Sequence, residues 1–279
     1  MHTQALPQSE RHDGVGDPVG GLHGMHYRYS MRRTVPVMLV ALVALIAASC
    51  SSSGSAAAPT ASIGALSGKT AAQILTAATT SAKKTGSAHY VLSAVEGTSS
   101  QIISGDASET EGQQTVAQGT QHIQVIYVGG IAYVRGDSGG LTSAMGLAAT
   151  VATSYANKWI AVHSTDSLFK SIVSAVTLAG TLAQLNPTGK LTLTDPTTVA
   201  GRTAIGVKGG LPGTPQSGVT GATTLYVAAS QPTVPLKFSG TAKEGTQTVK
   251  DSGTFTNWGK ALHLTVPAGA VAFSSLPAK

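Results

Sequence analysis

The feature that most restricts the fold of this chain is a change of hydrophobic period that happens twice. Residues 87–96 and 101–108 read as strands, separated by a Gly-Thr-Ser-Ser turn. Between Leu141 and Tyr155 the spacing becomes helical, with Leu141, Met145, Ala148, Ala152 and Tyr155 on one face. From Asp166, an expected N-cap, Leu168, Ile172, Ala175, Val176, Ala179 and Leu182 continue a helical pattern until Asn186-Pro187 ends it. Short strands then return at 190–194, 202–208, 223–229, 236–243, 246–256 and 263–266, punctuated by Asp195-Pro196, Gly209-Gly210, Gln231-Pro232 and Gly259. Strands, then helices, then strands predict an α+β fold with one large antiparallel sheet and helices on one face, because parallel βαβ units would alternate regularly.

Two local signals sharpen this. Residues 123–135 carry two β-branched and aromatic runs flanking Gly129-Gly130, a pair that supplies the positive φ angles of a tight hairpin turn. Ahead of the first strand, Ser67 or Thr70 can cap a helix whose face is Ile74, Leu75, Ala78 and Ala82. Lys83-Lys84 complement its C-terminal dipole and Gly86 stops it. In the helical stretch from Asp166, Phe169, Val173, Val176 and Gly180 form a second apolar row beside the first. That face is wider than a simple surface helix needs.

The N-terminal part has a different logic. Arg32-Arg33 precede an uncharged apolar run from Val35 to Ala48, and Ala47-Ala48-Ser49 lead into Cys50. This is the layout of a secretory signal. The run is shorter than the roughly 20 residues that span a bilayer. Ala47-Ala48-Ser49-Cys50 resembles the lipobox of bacterial lipoproteins, in which the cysteine sulfur carries a diacylglycerol. Cys50 is the only cysteine, so no internal disulfide can form and the thiol needs its own role. The resemblance implies lipid attachment at Cys50 and an extracytoplasmic, membrane-anchored protein. The expected organisation is an early-start or unstructured extension at 1–30, a signal peptide at 31–49, a Ser/Ala/Gly-rich tether at 50–66, and one domain at 67–279.

Composition narrows the function classes. The net charge is +6 and only 11% of residues are charged. The cations are scattered along the sequence, without the basic stripe and interleaved aromatics that nucleic-acid binding requires. No catalytic constellation emerges. His89, His122, His163 and His263 lack metal-ligand spacing, and no nucleophile elbow or phosphate loop occurs. Glu109 and Glu111 lie in a polar, turn-rich stretch rather than as a buried pair. Trp159 and Trp258 read as packing anchors. The expectation is a non-enzymatic monomer with no cofactor and no metal.

The lipobox and tether, the helix before the first strand, the hairpin ending Ile131-Ala132-Tyr133-Val134, the stretch 199–207, the run 224–228 and Asn257-Trp258-Gly259-Lys260 together resemble the actinobacterial LppX/LprG-type lipoproteins, relatives in shape of the LolA/LolB carriers. The likeness covers roughly 68–267. It implies a curved antiparallel sheet, a half-barrel, with helices over its concave face and an apolar space between them for acyl chains of lipids or lipoglycans. On that reading Leu168, Ile172, Val176, Ala179 and Leu182 line the site, with Leu141 and Met145 beside them. The alternative is a structural or protein-interaction lipoprotein with a filled interior. Residues 136–162 depart from the family pattern, so no particular ligand is implied.

Overall fold

The structure is a computed structural model that describes residues 63–213 and 217–277. The signal, lipobox and tether residues up to 62, Cys50 included, lie outside the described residues.

The first helix, α1 (Ala71–Thr85), forms as its end signals require. Thr70 and Gln73 make a reciprocal capping box, and Gly86 closes the helix in the left-handed region at φ 93°. Ile74, Ala78 and Ala82 are fully buried along one face. Leu66, at the end of the expected tether, is buried as well and packs with Ile74 and Val227, so the domain core begins before residue 67.

Strands β1 (Ser87–Glu96), β2 (Ser99–Ser108), β3 (Gly112–Gln118), β4 (Gln121–Val128), β5 (Ile131–Gly136) and β6 (Ile160–Val162) form an antiparallel meander. The β4–β5 turn is the Gly129-Gly130 pair, with φ of 61° and 77°. Helices α2 (Ser138–Met145) and α3 (Ala149–Ser154) lie between β5 and β6. Helices α4 (Phe169–Val176) and α5 (Leu178–Ala183) follow β6. A second meander comprises β7 (Thr188–Leu193), β8 (Thr197–Val199), β9 (Arg202–Gly210), β10 (Val219–Ala228), β11 (Pro235–Glu244) and β12 (Gln247–Thr256). Pairing of β1 with β12 joins the meanders into one open sheet of thirteen strands, running from β13 (Val271–Ala272) at one edge to β7 at the other. The expected α+β half-barrel architecture is therefore present. Its one parallel pair is β13 with β6.

Four expectations change. The helical stretch 141–155 is two helices, because Gly146 adopts φ 64° and ends α2. The stretch after Asp166 is also two helices, with Thr177 extended between them. Asp166 does not cap α4: its carboxylate accepts from the His163 N–H at 2.7 Å and so closes the preceding loop. Residues 263–266 form no strand. They belong to a strap, 257–270, that crosses the outer face of the sheet, where Leu264 and Ala270 pack with Val128, Tyr133 and Ala161. Strand β3 carries mainly Gln, Thr and Gly, and its polar composition concealed it.

Candidate ligand site beneath the helices

Alternation along the strands sends one row of side chains toward the helices. Register aligns Phe255, Tyr90, Gly105, Gln114, Val125, Val134 and Ile160 across seven strands. Helices α2 and α4 roof the β4–β5 end of this row, α1 covers β7 and β9–β11, and α5 lies between, touching α1 and β2.

Five of the seven residues expected to line a ligand site, Leu141, Met145, Leu168, Ile172 and Val176, gather in one apolar cluster with Val125, Val134 and Ile160. None of the five is more than 3% exposed. Phe169 packs against the same cluster and meets Tyr127 edge-on, with centroids 6.2 Å apart. Leu182 sits in the neighbouring central cluster with Tyr90, Leu178 and Phe238. Ala179 is exposed. The break at Thr177 resets the helical phase, so a residue that an unbroken helix would bury points to solvent.

Glycines explain where the break falls. A Cβ on Gly112 of β3 would lie 1.9 Å from the Val176 carbonyl oxygen, and one on Gly180 of α5 would lie 1.9 Å from that of Ser174. The last turn of α4 therefore packs its backbone directly on β3 and α5, an approach that only glycine permits.

One polar bridge crosses this apolar interior. Tyr90 Oη donates to Gln114 Oε1 at 3.0 Å, and Thr181 hydrogen-bonds Tyr90 as well. Burial pushes the Tyr90 phenol well above its ordinary pKa. It stays a protonated donor and cannot serve as a base. The bridge positions β1, β3 and α5; it provides no acid–base pair.

A polar concavity of about 260 Å³ lies on the opposite face, between the sheet and the strap. His89, Asp106, Gln113 and Ile126 stand abreast on β1–β4, and Lys260 and His263 approach from the strap. His89 Nδ1 donates to Asp106 Oδ1 at 2.9 Å and Gln113 Nε2 to Asp106 Oδ2 at 3.0 Å. Burial opposes charge on Asp106. The hydrogen bonds from Gln113 and His89, with the nearby charges of His89 and Lys260, outweigh it and hold the carboxyl below its ordinary value. His89 and Asp106 are 17 residues apart in sequence and meet only through the register of β1 with β2. Among the described residues no group of three or more His, Cys, Asp or Glu could hold a metal ion. Trp159 and Trp258 do anchor packing: Arg135 stacks 4.8 Å above Trp159, and Trp258 Nε1 donates to the Pro235 carbonyl at 3.0 Å.

The fold and this interior define an open-sheet α+β domain whose apolar face is roofed by short helices. Among solved structures, the chain is similar to LprF from Mycobacterium bovis, at 17% identity over 71% of this chain and 97% of that one, with a TM-score of 0.43. It is also similar to the MucA/MucB complex of Pseudomonas aeruginosa, at 14% identity, 75% and 61% coverage and a TM-score of 0.35, so it spans less than two thirds of that chain. A putative outer membrane lipoprotein-sorting protein domain from Vibrio parahaemolyticus gives 6% identity, 67% and 92% coverage and a TM-score of 0.27. No family model and no curated protein matches.

Proposed function

We propose that this protein is an envelope lipoprotein that carries a hydrophobic ligand, with acyl chains seated between the sheet and helices α2 and α4. The observation that supports the reading is the roof itself. An apolar face of an open sheet is covered by helices of six to eight residues, joined at Gly146 and Thr177 rather than as continuous rods. Short segments over an apolar floor can separate to admit a chain, and shielding acyl surface from water contributes about 25 cal/mol per Å². Lipidation of Cys50 would hold the domain on the extracytoplasmic face of the membrane. No helix among the described residues is long and apolar enough to cross a bilayer.

Native mass spectrometry of the chain from Ser51 onward, purified from a mycobacterial host, tests the reading. A co-purifying lipid whose loss follows widening of the α2–α4 cluster with polar substitutions is the expected result. Protein free of lipid, and unable to take up acyl chains from micelles, would overturn it.

A second reading has its own support. The five clustered residues are almost fully excluded from solvent and in mutual contact, as in an interior that needs no ligand. The domain would then bind an envelope protein through its outer surface. In-cell crosslinking that recovers one partner, from protein that carries no lipid, would favour it.

A further inference from the structure

The lysines that are scattered in sequence are brought together by strand register. Alternation along β9–β12 places Lys208, Lys237, Lys243 and Lys250 on the face away from the helices, and all four are exposed. Lys250 stands beside Thr241, Lys237 between Thr254 and Tyr226, Lys208 beside Thr224, and Lys243 beside Thr220. The remaining outward positions of these strands are Ser, Thr, Ala, Gly, Tyr and Pro235, together with Arg202 at the start of β9, which donates to the Ser230 and Pro232 carbonyls. Glu244 and Asp251 fall on the opposite parity. The cross-strand neighbours of these lysines on this face are hydroxyl, aromatic and apolar side chains, with no carboxylate among them. Next to this field, on the same face of β1 and β2, stand the exposed apolar residues Val91 (37%), Val95 (41%) and Ile102 (49%). Register sets Val95 beside Lys250 and Val91 beside Thr254.

We infer that this outer face of β1, β2 and β9–β12 docks on the surface of an anionic phospholipid bilayer. Four cations on β9–β12 match negative headgroups, the outward acid on β2, Asp106, being held by His89 and Gln113, and three neighbouring apolar side chains can enter the interfacial layer. With strands about 4.8 Å apart and side-chain rows about 6.8 Å apart, the lysines cover a patch roughly 15–20 Å on a side. That patch spans several headgroups at once. The contact would hold the helix-covered face toward the aqueous side.

The chain from Ser51 onward keeps every described core residue and is free of the apolar leader. It should sediment with vesicles of phosphatidylcholine mixed with phosphatidylglycerol at low salt, and not with pure phosphatidylcholine. A lysine near an anionic surface strengthens partitioning about fivefold. K208Q/K237Q/K243Q/K250Q should therefore weaken it by nearly three orders of magnitude, and high salt should do likewise. The matched variant K69Q/K83Q/K84Q/K170Q removes four exposed lysines elsewhere and should keep most of the binding. Equal loss in both variants, equal binding to neutral vesicles, or binding to a soluble anionic glycan without vesicle binding would each overturn the assignment.

Discussion

Tyr90 on β1 reaches over Gly105 of β2 to hydrogen-bond Gln114 on β3, with Oη and Oε1 3.0 Å apart. The contact exists because position 105 has no side chain: a Cβ there would lie 2.6 Å from Tyr90 Oη and 2.4 Å from the Gln113 carbonyl oxygen. Tyr90→Phe should lower stability by about 1–2 kcal/mol, since it removes a buried bond from Gln114. Gly105→Ala should cost more, about 2–3 kcal/mol, because the ring and the β3 backbone must both move. Urea unfolding of both variants orders the two effects. In an absorbance titration, one tyrosine fewer should ionise in wild type below the alkaline unfolding transition than after it.

Asp106 makes stability depend on pH in acid. Its folded pKa is lowered, so its stabilising contribution is complete above the unfolded value of about 3.9 and is lost as pH falls through the lower folded value. Its side chain is 38% exposed, and solvent screening keeps the contribution within about 0–1 kcal/mol. Asp106→Asn should lower Tm by up to about 3 °C at pH 6, with the gap closing as pH drops below 3. Scanning fluorimetry of both proteins across that range checks the direction; a gap that widens in acid would contradict it.

Gly112 is the seat of α4. Gly112→Ala would drive a Cβ into the Val176 carbonyl, so the last turn of α4 must lift from β3. A loss of about 1–3 kcal/mol is expected, with hydrogen exchange accelerated in α4 and α5 more than in β9–β12. Uniform acceleration across the sheet would show that the helix seat is not a local unit.

Much of the fold was legible because its elements carry local signals. Thr70, Gln73 and Gly86 mark α1 from both ends, and Gly129-Gly130 could hardly be anything but a hairpin turn. What escaped was set by contacts between distant segments. The sequence 166–186 has an unbroken helical period, yet Gly112 and Gly180 allow a backbone approach that is compatible only with a break at Thr177. The His89–Asp106 pair and the lysine field depend on which strands become neighbours, and β1–β12 pairing joins residues more than 150 positions apart. Of the expected ligand-lining set, the residues before the break fall together, and those after it do not.

On the proposed reading, Cys50 carries the localisation. Cys50→Ala should abolish acylation and move the protein from the membrane fraction to the soluble one. Mass spectrometry of the mature N-terminus, with fractionation of cells expressing each form, is the measurement. Unchanged membrane association would refute the anchor.

The phase reset at Thr177 makes opposite predictions for two neighbours. Ala179 is exposed, so Ala179→Lys should change stability by no more than about 0.5 kcal/mol. Leu182, three residues on and 3% exposed, packs with Leu178 and Tyr90, and Leu182→Ala should cost about 2–5 kcal/mol. A continuous helix would bury position 179 on the same face as Val176, and there a lysine would be as damaging as the leucine truncation. Chemical unfolding of the two variants decides between these geometries.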